Sequence, residues 1–370
     1  MRLSSVIEVL EEIAPLSLAE DWDRVGLAVG DPAARVARGM LCIDLTEPVL
    51  AEAIERRCNL VVCYHPPIFA PLTQLTTTDF KQRIVLECAR RGIALFSPHT
   101  ALDSAPGGVN DWLCDGLGEG DRRAIEPARG GAESQVKIVT FVPESSLDAV
   151  RDAMAGAGAG VIGDYVRCSF STAGTGTFQG GAATSPTIGR AGRFERVPET
   201  RMEMVCPRAR LGEAVRSLVT AHPYETPALD IHPLEPSPEA ETPPVGQGRR
   251  LDLLRPIGVA TLVRRIKDHL GVGHVQVAAP PGRLRIRSIG LCAGAGGSVV
   301  ADDPADAYFT GEMRHHDVLA SVQRGRAVVL VGHTQTERPY LKVLRRRLQR
   351  LAESVDWSVS RVDRPPLRLG

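Results

Sequence analysis

The sequence has no cysteine pair in C-x-x-C spacing, no excess of either charge and no long apolar run. Its eight cysteines are scattered over 370 residues, which argues against a zinc ribbon or a thioredoxin-like redox site. The 44 basic and 44 acidic side chains cancel, so there is no electrostatic reason to expect nucleic acid or an anionic membrane as a partner. No apolar run approaches the roughly 20 residues that a membrane-spanning helix needs.

The cysteines and the first residues of the chain indicate the cellular compartment. Cys42, Cys63 and Cys292 stand inside apolar runs, where cysteine behaves as a small buried hydrophobe. Residues 1–12 combine helical periodicity with acidic side chains, unlike a secretory signal peptide. The sequence therefore predicts a reduced, cytoplasmic protein.

The length and the changes of composition predict more than one domain. Residues 1–125 alternate between helix and strand patterns, which is typical of an α/β fold. A helix is expected near residues 47–57, with Thr46 as its N-cap. The linker-like stretches are residues 126–135 and 234–247.

The segment between the two linkers has a different rhythm. Residues 136–233 contain strand, helix and strand patterns twice, which suggests a small ferredoxin-like domain. The α/β pattern resumes at Gly248 with a helix near residues 261–270. The chain then alternates until a last long helix, predicted over residues 337–353.

Three apolar runs end in a histidine, and two of them place a carboxylate four residues later. These side chains are His65, then His99 with Asp103, then His333 with Glu337. The runs are typical of buried, parallel strands. In open α/β sheets the carboxyl ends of the strands carry the ligand site. Three imidazoles and two carboxylates at one sheet edge therefore predict a site for divalent metal.

Each of these residues also has a structural interpretation. The two prolines after His65 hold its backbone still, which suits a ligand, and the alternative is a core histidine bonded to backbone. Asp103 is as well placed to cap the following helix as to bind metal. With Thr336 as an N-cap, Glu337 would stand in a first helical turn, where the dipole favours an acid.

A fourth strand pattern, at residues 307–310, leads to a polar turn. Glu312 in this turn, or His316 after it, is a candidate general base or substrate contact, against the alternative of a solvated helix start. The glycine-rich turn at residues 294–298 lacks the lysine of a phosphate-binding P-loop. It is either an anion-binding nest or a simple tight turn.

Together these stretches resemble the Nif-three-like family, whose bacterial members often carry the name GTP cyclohydrolase I type 2 homologue. The matching motifs lie at residues 21–30, 64–69, 99–111, 310–317 and 332–337. The middle segment resembles the PII-like domain of longer family members, through its C-S-F, G-T-G-T-F and H-P-Y-E-T-P motifs.

The resemblance implies an α/β fold with an insert. Two α/β halves, residues 1–130 and 245–370, would form the Nif-three-like core. Residues 131–240 would form an inserted α+β, ferredoxin-like (PII-like) domain. A ring-shaped homo-oligomer, usually a hexamer, is implied as well.

The resemblance also implies a dinuclear site for divalent metal between the two halves. Residues at family ligand positions are His65, Asp103, His333 and Glu337, with His99 as a further candidate. Many bacterial members have two adjacent histidines where this chain has Tyr64 and His65. The Tyr-His form of this chain is similar to that of the eukaryotic branch. The presence of Tyr64 predicts either weaker binding of a second metal ion or a site that includes the phenolic oxygen. Mixed nitrogen and oxygen ligands leave Zn, Fe, Mn, Co and Ni as alternatives.

The function implied is metal-dependent hydrolysis of a small molecule, of the cyclohydrolase or phosphoesterase kind. In this hypothesis Glu337 holds the metals and His316 or Glu312 moves protons. The alternative is a non-enzymatic role, as a metal chaperone or as a regulator that senses a ligand through its inserted domain. A third interpretation treats the histidines as structural.

Overall fold

The computed structural model describes residues 1–128, 135–234 and 245–367, which fall into two compact units of mixed α/β structure. The first unit contains residues 1–128 and 245–367, and the second contains residues 135–234. No helix among the described residues is long and apolar enough to cross a membrane. All eight cysteines are free thiols, and Cys42, Cys63 and Cys292 are buried as predicted.

The helices and strands are numbered along the chain. Residues 1–128 contain α1 (Leu3–Ile13), β1 (Gly26–Val29), β2 (Arg38–Cys42), α2 (Glu47–Glu55), β3 (Leu60–Cys63), α3 (Phe80–Arg91), β4 (Ala94–Ser97), α4 (His99–Ser104), α5 (Val109–Asp115), β5 (Gly120–Arg123) and β6 (Glu126–Pro127). Residues 135–234 contain β7 (Gln135–Val142), α6 (Leu147–Gly156), β8 (Phe170–Gln179), β9 (Phe194–Pro207), α7 (Leu211–Ala221) and β10 (Leu229–Pro233). Residues 245–367 contain β11 (Gly246–Gln247), β12 (Arg249–Gly258), α8 (Val259–Leu270), β13 (Gln276–Ala278), β14 (Arg285–Cys292), α9 (Gly297–Ala301), β15 (Ala307–Thr310), α10 (His315–Gln323), β16 (Ala327–Leu330), α11 (Leu341–Leu351) and β17 (Asp356–Val359).

Two sheets form the framework of the first unit. One has the strand order β1-β4-β3-β2-β17, and the other has the order β13-β16-β15-β14-β12-β5. Strands β2, β3 and β4 are parallel to one another, as are β14, β15 and β16. The pairs β1 with β4, β12 with β14 and β13 with β16 are antiparallel. The prediction of buried, parallel strands before His65, His99 and His333 is therefore confirmed.

The two chain segments of the first unit share their sheets and their core. Strand β17 pairs with β2, and β5 pairs with β12, so each sheet includes a strand from the other segment. One hydrophobic cluster contains Phe96 and Leu113 together with Leu291, Phe309 and Trp357. Burial of this shared apolar surface stabilises both segments as one body.

Strand β12 was missing from the sequence-based prediction. Its ten residues include Pro256, and its pairing with β14 shifts register between Asp252 and Ile257. Proline cannot donate a ladder hydrogen bond, so it normally argues against a paired strand. The register shift lets the strand continue past the proline.

The last helix begins later than predicted. The residues after β16 form two short 3-10 turns, His333–Gln335 and Arg338–Tyr340, before α11 begins at Leu341. Pro339 has no N–H and cannot donate to the carbonyl one helical turn earlier. The prediction that Thr336 caps a helix with Glu337 in its first turn is therefore wrong.

Part of each predicted linker forms a short strand. Glu126–Pro127 pairs with Gly246–Gln247 as a two-stranded antiparallel ribbon, β6 with β11. Residues 129–134 and 235–244 of the predicted linkers lie outside the described residues.

The second unit has the element order β7-α6-β8-β9-α7-β10. Its four strands form an antiparallel sheet in the order β10-β7-β9-β8. Alternate side chains of β7 and β9, such as Ile138 and Met204, form a core with Leu218 of α7. Because strand side chains alternate, the intervening residues lie on the other face of the sheet.

Two helices of the first unit differ in how their N-termini are capped. Asp79 accepts hydrogen bonds from the Lys81 N–H (2.9 Å) and the Gln82 N–H (3.1 Å) at the start of α3. Thr46 occupies the N-cap of α2 but makes no such bond, contrary to the sequence-based expectation. We expect Asp79→Ala to lower the free energy of unfolding by about 1 kcal/mol, and Thr46→Ala by much less.

Urea unfolding followed by tryptophan fluorescence measures this difference. All three tryptophans, Trp22, Trp112 and Trp357, belong to the first unit, so the signal reports that unit. Equal losses in the two variants would contradict the assignment of Asp79 as the stronger cap.

Candidate metal centre

Two histidines and one glutamate form a compact group in the first unit. One ligand atom from each of His65, His333 and Glu337 lies within 4.8 Å of the others. His65 Nε2 is 3.5 Å from Glu337 Oε2, and His333 Nε2 is 3.4 Å from Glu337 Oε1. The two imidazoles therefore present the same kind of nitrogen to one carboxylate.

The other ring nitrogen of each histidine contacts a second carboxylate. His65 Nδ1 is 2.9 Å from Asp44 Oδ1, and His333 Nδ1 is 3.2 Å from Glu312 Oε2. Such a contact holds a proton on Nδ1, so that Nε2 is the nitrogen available to replace its proton by a metal. The arrangement is the one that metal-binding histidines commonly adopt.

Glu337 is buried between the histidines and is incompletely paired. Its Oε2 has no hydrogen-bond partner among the described residues, although the side chain is only 3% exposed. Gly294 makes room for it, because a Cβ at Gly294 would lie 2.6 Å from Glu337 Oε1 and 3.1 Å from His333 Nε2. An unpaired buried carboxylate oxygen facing two imidazole nitrogens fits a divalent cation.

Tyr64, His99 and Asp103 form a second group beside the first. The Tyr64 hydroxyl donates a hydrogen bond to Asp103 Oδ1, and the His99 ring centroid lies 5.4 Å from that of His65. His99 Nδ1 is 2.8 Å from Asp23 Oδ1, which again leaves Nε2 free. The φ of +23° at His99 is unfavourable for a residue with a side chain, and such strain is concentrated at functional sites.

The alternative that Asp103 caps the following helix is wrong. Helix α4 continues through Asp103, and α5 begins only after Gly108, which makes no side-chain capping bond. Asp103 is buried and directed toward Tyr64 instead.

Burial and neighbouring charges shift the acid–base properties of the site. Burial disfavours a charged His65, yet its hydrogen bond with Asp44 and the nearby Glu337 charge outweigh this and raise its pKa to about 10. Burial raises the pKa of Asp103 to about 6. Burial and the Asp103 charge raise the pKa of Tyr64 well above its usual value, so Tyr64 remains a neutral hydrogen-bond donor.

Arg338 lies between Asp363, near the last residues of the chain, and Asp44 at the site. Its guanidinium forms an ion pair with Asp363, and its Nη2 lies 4.0 Å from Asp44 Oδ2. Asp363 also accepts a hydrogen bond of 2.7 Å from the Ile43 N–H, next to Asp44. These contacts hold the carboxylate that orients His65.

The candidate residues come from two sheets, not from one sheet edge as the sequence suggested. His65 and His99 follow β3 and β4 of the five-stranded sheet, whereas His333 follows β16 of the six-stranded sheet. Local patterns locate strand ends but do not say which strands share a sheet.

The two proposed proton-transfer residues are placed differently. Glu312 contacts His333 Nδ1 and is half exposed, with 52% of its side chain accessible. His316 is exposed in the first turn of α10, where its ring packs against His315. Among the described residues His316 has no recorded contact with the metal-binding group.

Four residues of the site were missed by reasoning from sequence, namely Asp23, Asp44, Gly294 and Arg338. Asp23 belongs to one of the resemblance motifs, and Gly294 belongs to the glycine-rich turn, so both had a signal. Asp44 follows β2 directly and could have been found as a polar residue at a strand end. Nothing local distinguishes Arg338 from the other arginines.

Comparison with known proteins gives matches over the whole chain. A family model described as Duf34/NIF3 (NGG1p interacting factor 3) matches residues 1–366. Human NIF3-like protein 1 is 34% identical over 378 residues, covering 100% of this chain and 93% of that protein. A GTP cyclohydrolase 1 type 2 homolog of Mycobacterium bovis is 36% identical over 348 residues, covering 92% and 89%.

A solved structure shares the fold over the same length. The Bacillus cereus protein related to NIF3 superposes with a TM-score of 0.68 at 30% identity, covering 100% of this chain and 99% of that one. The matching length agrees with the sequence comparisons. This chain therefore belongs to the Duf34/NIF3 family.

Proposed function

We propose that this chain is a cytoplasmic metal-binding protein that hydrolyses a small molecule, in a reaction of the cyclohydrolase or phosphoesterase kind. The observation that carries the proposal is the pair of imidazole Nε2 atoms, at 3.5 Å and 3.4 Å from the two oxygens of buried Glu337. The name GTP cyclohydrolase 1 type 2 homolog, carried by several relatives, supports the choice of reaction class.

The first metal ion would be held by His65, His333 and Glu337. A second ion would be held by Asp103 and His99, which would make the centre dinuclear. Tyr64 would hold the Asp103 carboxylate by its hydrogen bond and take no metal itself. The donor set of imidazole nitrogen and carboxylate oxygen suits Zn, Fe, Mn, Co or Ni.

Divalent ions in such a centre supply Lewis acidity toward a carbonyl or phosphoryl oxygen and make nearby water more acidic. The residues of this chain supply orientation and proton transfer. Asp44 and Glu312 hold His65 and His333 with Nε2 directed at Glu337. Glu312, half exposed and bonded to His333 Nδ1, can carry protons between the site and solvent. His316 is the second candidate for this role.

A metal carrier without catalytic activity is the competing function. Both histidines are partly exposed, His65 at 24% and His333 at 34%, so bound metal could exchange with solution. A carrier needs exchangeable metal and no turnover, whereas a hydrolase needs a product.

Steady-state assays distinguish the two functions. The protein is loaded separately with Zn, Mn, Fe, Co or Ni and incubated with GTP and a panel of cyclic nucleotides and phosphoesters. We expect at least one substrate to be hydrolysed over many turnovers, with activity lost on chelation and restored by metal. Rapid metal exchange without product from any substrate would contradict the hydrolase function and favour the function of a metal carrier.

The carboxylate behind His65 provides a milder test of the metal site. We expect Asp44→Asn to lower the affinity for Zn²⁺ about 10- to 100-fold, because the amide can stabilise the wrong tautomer of His65. Competition with a chromogenic chelator measures the affinity. Glu47→Gln, which removes a nearby exposed carboxylate, is the control and should leave the affinity unchanged. An unchanged affinity in Asp44→Asn would indicate that His65 is not a metal ligand.

For the second unit we propose the ferredoxin-like, PII-like architecture, and for the chain a hexameric assembly. The order β7-α6-β8-β9-α7-β10 supports the first. Exposed apolar side chains near edge strand β8 support an assembly through this unit, among them Tyr165 (76% exposed), Val166 (70%) and Phe170 (66%). Sedimentation velocity of the full chain tests the assembly.

A further inference from the structure

The second unit contains a cavity of about 660 Å³ on its sheet. Volumes of this size are typical of sites for small organic ligands. The floor is formed by β7, β8 and β9, and one wall by residues 184–188. Residues 224–226 and 228 form a second wall. Nothing in the metal centre uses this cavity.

The walls are tied to each other by hydrogen bonds. The Thr187 hydroxyl donates to the Pro223 carbonyl at 2.6 Å, and the Ser185 N–H donates to Glu225 Oε1 at 3.3 Å. The floor is open because Gly174 has no side chain where it pairs with Glu199. A Cβ at Gly174 would meet only the Glu199 carbonyl oxygen, at 3.9 Å. Hydrogen bonds thus join the two walls, and the floor between them is left open at Gly174.

One positive charge lies on the floor of the cavity. Arg201 lies between Phe141 of β7 and Thr172 of β8 in the register of the sheet. Its Nε donates to Glu203 Oε1 at 2.8 Å, and its guanidinium carbon is 5.7 Å from the centre of the Phe141 ring. Neither terminal nitrogen has a hydrogen-bond partner among the described residues. These donors are therefore available to a carboxylate.

A negative charge lies beside it. Glu199 precedes Arg201 by two residues on β9, so both side chains lie on one face, roughly 7 Å apart along the strand. Glu199 Oε1 accepts a hydrogen bond of 2.8 Å from the Tyr224 hydroxyl. Burial and the Glu199 charge raise the pKa of Tyr224 well above its usual value, so the hydroxyl remains a donor. Glu199 Oε2 accepts no hydrogen bond from the described residues.

We propose that this cavity binds a small zwitterion of the amino-acid class with a large apolar side chain. The ligand carboxylate would bond to the terminal nitrogens of Arg201, and its ammonium group would bond to Glu199. Phe141, Phe178 and Ile188, which also line the cavity, would contact the apolar side chain. The proposal is independent of the metal centre.

The charges of the cavity disfavour the other common ligand classes. Glu199 and Glu225 line it together with a single guanidinium, which Glu203 already contacts. A polyphosphate would bring several negative charges against these carboxylates. A simple amine would leave the terminal nitrogens of Arg201 unpaired, and a simple carboxylate would leave Glu199 Oε2 unpaired.

Calorimetric titration of the full chain tests the proposal. The zwitterionic probes are L-phenylalanine and the dipeptide leucylphenylalanine. Phenylpropionate lacks the ammonium group, phenylethylamine lacks the carboxylate, and AMP represents nucleotides. We expect at least one zwitterion to bind. Each single-charge analogue should bind with an affinity lower by about tenfold or more, because one charge-assisted hydrogen bond is lost.

Three variants locate the binding. Glu199→Gln keeps an acceptor for Tyr224, and should bind L-phenylalanine no better than phenylpropionate. Gly174→Val places a side chain in the cavity and should abolish binding of every probe. Gly181→Val is the matched control, because it lies outside the lining and a Cβ there meets nothing within 4 Å. Far-UV circular dichroism verifies that each variant is folded.

Several outcomes would overturn the proposal. These are equal binding of phenylpropionate and L-phenylalanine, binding of AMP alone, no binding of either zwitterion, or unchanged binding in Gly174→Val. If the zwitterions do not bind and Gly174→Val changes the sedimentation coefficient, the sheet face is instead a contact between copies of the chain.

Discussion

Replacing Glu337 by glutamine is expected to reduce the metal affinity of the protein by about 100-fold or more. Loss of a group that only orients a ligand typically costs 10- to 100-fold, and loss of a ligand costs at least as much. Glu337 faces both His65 and His333, so its carboxylate is shared by the proposed ligand set. Glutamine has nearly the same volume, which keeps the packing of this buried position.

The measurement is metal content per chain, by elemental mass spectrometry on untagged protein. Glu11→Gln, an exposed position of α1, is the matched control and should retain the metal of the parent. A parent with two ions would support the dinuclear centre, whereas one ion would indicate that the group around Tyr64 and Asp103 holds none. Glu337→Gln protein that keeps all of its metal would refute the proposed ligand set.

The second large effect is expected from Arg249, a fully buried arginine of β12. Its guanidinium bonds to Asp111 Oδ1 at 2.6 Å and to the carbonyls of Gly246 (2.7 Å), Gly248 (2.8 Å) and Ser104 (3.2 Å). We expect Arg249→Met to lower the free energy of unfolding by about 3–5 kcal/mol, because it leaves the Asp111 carboxylate and these carbonyls without their partner.

Urea unfolding of the metal-free protein, followed by tryptophan fluorescence, measures this loss in the first unit. Arg285→Met on β14 is the control, since Arg285 is exposed and the substitution should change stability by less than about 0.5 kcal/mol. If the two variants unfold at the same urea concentration, the hydrogen bonds of Arg249 do not stabilise the first unit. Because α4 ends at Ser104, a loosened Arg249 site should also weaken metal binding through His99 and Asp103.

The strands and the candidate ligands were largely accessible from the sequence. Apolar runs that end in proline or glycine predicted β3, β4 and β16, because such runs can be satisfied only by burial in a sheet. Elements with conflicting local signals were not predicted correctly. Pro256 concealed β12, because pairing with the neighbouring strands overrode the local preference of proline. Pro339 delayed α11, because it lacks the N–H that a helix interior needs.

The sequence by itself determined which side chains stand at strand ends, and that set already includes His65, His99 and His333. It could not determine which of them meet, because His65 and Glu337 are separated by most of the chain and come together only when the two sheets pack. The tertiary structure alone decided the partners of the imidazoles, Asp44 and Asp23, and the burial of Arg249. Hydrogen bonds between distant residues leave no periodic pattern, whereas burial of a strand does.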